Sequence, residues 1–90
     1  MRHLKIDMYK NRNGYRNNIS GETIRELRLS AVPQLSQRAL ADKMQLVGLD
    51  MDKNVIQRIE AGSRFVTDIE LLAFARIFDV SVSFLLGIEP

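Results

Sequence analysis

One small arrangement recurs five times in this chain: an apolar residue, a polar residue suited to capping a helix, and a second apolar residue five positions beyond the first. The apolar pairs are Ile19/Ile24, Leu35/Leu40, Met51/Ile56, Val66/Leu71 and Val80/Leu85, and the polar residues between them are Ser20, Ser36, Asp52, Thr67 and Ser81. Side-chain oxygens of Ser, Thr and Asp accept hydrogen bonds from the unpaired N–H groups of a first helical turn. The flanking spacing is that of a hydrophobic staple, and Glu70, three residues after Thr67, completes a capping box. With 46% of the chain apolar, a single pair carries little weight. Five in register predict five helix starts, with helices over 21–30, 37–47, 53–61, 68–78 and 82–86.

Helix ends fall where the chain provides them. Pro33 pushes Val32 out of helical geometry and closes the first helix. Gly48 and Gly62 suit left-handed termini for the second and third. The fourth, DIELLAFARIF, is apolar around much of its girth, which predicts a central helix with others packed on it. LKIDM near the N-terminus alternates like a strand but has no partner strand to pair with. Short helices with brief connections predict an all-α, five-helix bundle.

Ninety residues suffice for one domain with one core. With no cysteine, neither a disulfide nor a thiolate metal site can form, which suits a reducing cytoplasm. The densest apolar run, Leu71 to Ala75, is too short to span a bilayer, and no secretion signal opens the chain. The net charge of +2 is unevenly spread. Residues 1–20 hold five Lys/Arg against one acid, whereas the remainder holds eight against ten. Residues 1–18, ending in the Asn- and Arg-rich KNRNGYRNN, are expected to form a basic flexible arm, and 19–90 the folded domain. The arm is either a solubilising tail or a phosphate-tracking, groove-entering segment with Tyr9 and Tyr15 as stacking groups.

The stretch from Ser36 to Gly62 carries the chemistry. Its second helix turns Ile56 and Ile59 inward and leaves Lys53, Asn54, Gln57 and Arg58 on the other side. That set contains no acid and is rich in groups that hydrogen-bond base edges and phosphates, so it predicts a DNA-reading helix. An enzyme is poorly supported. His3 is the only histidine, which leaves no histidine triad or multi-histidine metal site. No glycine-rich loop follows a strand. No cofactor or metal is expected. The rival class is a protein-interaction module, such as an antitoxin or adaptor, working through the apolar C-terminus.

Taken in order, Ile24-Arg25-Glu26-Leu27-Arg28, Leu35-Ser36-Gln37, Leu40-Ala41, Ile56-x-x-Ile59-Glu60-x-Gly62, and Asp79-Val80-Ser81 before Leu85-Leu86-Gly87 resemble the phage repressor/Cro-type (XRE) helix-turn-helix domains. The likeness covers residues 19 to 88. It implies a repressor-like bundle that binds double-stranded DNA, with Lys53, Asn54, Gln57 and Arg58 toward the bases of the major groove. It implies phosphate contacts at Gln37, beside the positive end of the second helix, and at Arg38 and Arg64. Arg28 and Glu60 stand where the family often places an ion pair between its first and third helices; otherwise they are two solvated charges. Val55 either touches a thymine methyl or packs on the second helix, and packing is the expectation. Phe84, Leu86 and Ile88 offer a homodimer surface, or complete the core, and a homodimer suits a palindromic operator. The chain departs from the pattern at Val32-Pro33, and more so at QLVGLDMD, which lengthens a usually tight turn between the second and third helices.

Overall fold

The structure, a computed structural model, describes residues 14–88. Five helices follow in order: α1 (Gly21–Ser30), α2 (Gln37–Leu46), α3 (Lys53–Ala61), α4 (Asp68–Phe78) and α5 (Val82–Leu85). Among the described residues the fold is all-α. The arm of residues 1–18 lies for the most part outside the described residues, as do the LKIDM segment, Tyr9 and His3.

Four of the five caps form as the spacing predicts. Ser36 Oγ accepts from the Ala39 N–H at 2.9 Å, Asp52 Oδ1 from Val55 at 2.9 Å and Ser81 Oγ from Phe84 at 2.9 Å. Thr67 and Glu70 close the capping box, with Thr67 N–H donating to Glu70 at 3.0 Å and Glu70 N–H to Thr67 at 3.2 Å. Ser20 differs. Its backbone is already helical (φ −94°, ψ −16°), and its side chain caps nothing. Asn18 does the work instead, its Oδ1 accepting from the Gly21 N–H at 2.8 Å. Ile19, the outer member of that staple, is half exposed.

The inner staple residues build the core. Ile24, Leu40, Ile56 and Leu85 are fully buried together with Met44, Met51, Ile59 and Phe74. Each such side chain removed from water contributes about 1.5–3 kcal/mol. That packing matters most for α3. It has nine residues, and an isolated helix below about 12–15 residues is marginal in water. α3 packs on α2 and α1, while α4 packs on α2 and α5.

The long α2–α3 connector is folded into this core. Gly48 (φ 92°) ends α2, with its N–H on the Gln45 carbonyl and the Leu49 N–H on that of Met44. Met51 is then buried, and Gln45 Nε2 donates to its carbonyl at 2.6 Å. α4 is less central than its composition predicts. It buries Phe74 and Ala75 but leaves Ile69 67% and Leu72 44% exposed, because no described element covers that side. No helix among the described residues is long and apolar enough to cross a membrane.

Candidate nucleic-acid interface

Two helix N-termini and one helix face make up the candidate site. α3 buries Ile56, Ile59 and Glu60 and exposes Lys53, Asn54, Gln57 and Arg58 along one side. Its single acid, Glu60, points inward, so the exposed face of the helix carries cations and amides only. Asp52 just before it spends its carboxylate on the cap. Val55 is half-buried and packs against the core.

Glu60 is buried because it has partners. Its carboxylate takes Arg28 Nε at 2.7 Å and Nη2 at 2.9 Å, a bidentate pair between α1 and α3 with side chains only 9% and 3% exposed. Arg28 Nη1 also donates to the Leu35 carbonyl at 3.0 Å, tying in the α1–α2 connection. The hydrogen bonds and charge of Glu60 raise the Arg28 pKa above its ordinary value, against the opposing effect of burial. Removing one member of such a pair leaves a buried charge uncompensated and costs about 3–5 kcal/mol. The pair therefore sets the seat of α3 and leaves its outer face free.

The predicted phosphate contacts stand in different environments. Gln37 begins α2 and is half-buried, with Nε2 donating to Glu60 Oε1 at 3.1 Å, so it belongs to the Arg28–Glu60 cluster. Arg38 is exposed beside it. Arg64 is engaged: Nη1 and Nη2 each reach a Glu70 oxygen at 2.9 Å, and Nη1 also donates to the Phe65 carbonyl. Hydrogen bonds from Arg64 lower the Glu70 pKa, aided by the Thr67 N–H. At the C-terminus, Phe84 and Leu86 are half-buried and Ile88 is 74% exposed.

Sequence reasoning misses one component entirely. Residues 16–18, assigned there to the arm, are bound to the C-terminal end of α3. Arg16 Nη2 donates to the Glu60 carbonyl at 2.9 Å and the Asn17 N–H to that of Gly62 at 2.7 Å. Asn17 Nδ2 reaches the Ser63 carbonyl at 3.1 Å, and Asn18 Nδ2 reaches those of Ile59 at 2.9 Å and Arg64 at 2.7 Å. The last carbonyls of a helix lack partners within it and carry partial negative charge, so amide and guanidinium donors suit them. Two glycines permit the approach. A Cβ on Gly21 would overlap the Ile59 carbonyl oxygen, and one on Gly62 (φ 85°) would lie 2.7 Å from Arg16 Cζ. A signal is present in the paired Asn17-Asn18, three residues ahead of Gly21, but such a cluster reads equally as a turn. Tyr15, by contrast, is fully exposed.

No family model, curated protein or solved structure matches the chain.

Proposed function

We propose that this protein is a cytoplasmic, sequence-specific double-stranded DNA-binding regulator, a repressor that reads the major groove with α3. The observation that carries the proposal is the outer face of that helix. Lys53, Asn54, Gln57 and Arg58 are all exposed, while the one acid of α3 is turned inward onto Arg28. Asn and Gln pair bidentately with adenine, and Arg and Lys with guanine, each good pair discriminating by about 1–3 kcal/mol. The resemblance of the motif series to the repressor/Cro-type domains supports the same reading.

In this proposal phosphates are held by Arg38 and by Gln37, whose amide keeps a second N–H beyond the one given to Glu60. Arg64 contributes less, because Glu70 already offsets its charge. The chemistry is recognition alone, without catalysis or cofactor. A homodimer on a palindromic operator is the assembly that fits.

Selection from a pool of random duplexes tests this. The expected outcome is one enriched, two-fold symmetric site, with affinity falling steeply as salt rises because phosphate contacts release counterions. Gln57→Ala and Arg58→Ala should change the preferred bases, whereas Arg38→Ala should weaken all sequences alike and reduce the salt slope by about one. A pool that enriches nothing even at low salt refutes the proposal.

A further inference from the structure

Exposed Lys and Arg suit a nucleic acid, but a second exposed surface does not. The outward side of α4 carries Asp68, Ile69, Leu72 and Arg76, all exposed. At about 100° per residue these four fall within one stripe with Leu72 along its midline. Beside it Val47 and Leu49 of the α2–α3 connector join Ile69, Leu72, Ala73 and Arg76 around a shallow cleft of about 160 Å³. Of the connector residues Val47 is 56% exposed, and Leu46, before it in the chain, is 86% exposed. Contiguous apolar surface of this kind marks an interaction site, unlike single exposed leucines.

We infer that this stripe is a self-association surface whose occupant is a second copy of the chain, with α4 packed antiparallel to α4 about a two-fold axis at Leu72. The charge order identifies the occupant. Asp68 lies four residues before Leu72 and Arg76 four residues after it, about 6 Å to either side of the axis. A two-fold at Leu72 brings Asp68 of each copy level with Arg76 of the other and sets Leu72 against Leu72. Among the described residues neither Asp68 nor Arg76 forms an ion pair within its own chain. The stripe is therefore complementary to itself: acid, two apolar residues, base. An isologous interface requires that pattern. The cleft beside Ile69 receives apolar side chains from the partner copy, and the same contact covers Ile69 and Leu72, which the fold leaves in water. This inference takes the homodimer from the DNA-reading proposal and places its seam on α4.

The test uses the full chain without DNA, so that its outcome is separate from that of the DNA proposal. Molar mass is followed against concentration by sedimentation equilibrium, with circular dichroism confirming that each variant is folded. Wild type should dimerise, and Leu72→Glu should weaken the dimer at least tenfold while leaving binding to a single half-site duplex unchanged. Asp68→Arg and Arg76→Asp should each weaken it, and the double exchange should recover most of the loss, which a merely structural effect of either residue would not do. A chain that stays monomeric at all concentrations overturns the inference. So does a double exchange no better than the single ones, or a dimer disrupted by Ile88→Glu but not by Leu72→Glu. Absence of half-site binding in a chain that dimerises as described refutes the DNA reading alone.

Discussion

Asn18 makes three hydrogen bonds that join the start of α1 to the end of α3 and the chain beyond it. Its oxygen caps the start of α1 at Gly21, and its amide N–H groups satisfy the Ile59 and Arg64 carbonyls. At 9% exposure, water cannot easily take over. Asn18→Ala strands the Gly21 N–H and the Arg64 carbonyl, whereas the Ile59 carbonyl keeps the Gly62 N–H at 3.1 Å and Arg16 Nη2 at 3.4 Å. Each stranded group costs about 1–3 kcal/mol, so the variant is expected to lose about 2–4 kcal/mol. Ser20→Ala removes no cap and should stay within about 0.5 kcal/mol of wild type by urea unfolding. The opposite ranking would return the cap to Ser20. Spacing assigns this cap to Ser20, and the structure moves it to Asn18. Ser and Asn are nearly equal as caps, and only the backbone angle at Ser20 separates them.

At the level of elements, the α3–α4 corner is held by charge. Glu70 serves both the capping box of α4 and the bidentate contact from Arg64. These contacts hold its folded-state pKa below the ordinary 4.5. The stabilisation they give is complete above the unfolded value and is lost as pH falls through the lowered folded value. Glu70→Gln should therefore destabilise the protein near pH 7, and the gap from wild type should narrow as unfolding is measured down to pH 3. A gap constant across that range would show that Glu70 acts by packing alone. Sequence spacing revealed this capping box but not the role of Arg64. An arginine just past α3 reads as a phosphate contact until the turn of the chain places it against the next helix.

At the scale of the whole molecule, residues 16–18 belong to the folded body. Arg16, Asn17 and Asn18 bind carbonyls at 59, 60, 62, 63 and 64, more than forty residues away along the chain. The contact is tested by comparing the melting temperature of a chain lacking residues 1–13 with that of one lacking residues 1–18. Removing 1–18 should lose at least twice what Asn18→Ala loses, because the end of α3 gives up every one of those partners. Equal melting temperatures for the two truncations would show that the contact contributes nothing to stability. A basic composition hides such a segment. Asn and Arg are as suited to a solvated tail as to a set of backbone carbonyls, and the carbonyls become available only once α3 and α1 have met.

The sequence by itself determined the local events: where each helix begins, that glycine ends α2 and α3, and which side of α1, α2 and α3 turns inward. Caps, staples and 3.6-residue periodicity act within a few residues, so their physics is written contiguously. It also marked Arg28 and Glu60 by family resemblance, though their distance and burial are properties of the packed α1–α3 pair. Tertiary structure alone decided which of two neighbouring polar residues caps α1, that Gln37 joins the Arg28–Glu60 cluster, and that Arg64 is taken by Glu70. It also decided that Met51 of the inserted connector is core and that Ile69 and Leu72 are not. All of these depend on which surfaces meet, and an apolar or charged residue has the same local signature whether its partner is another helix, water or a second chain.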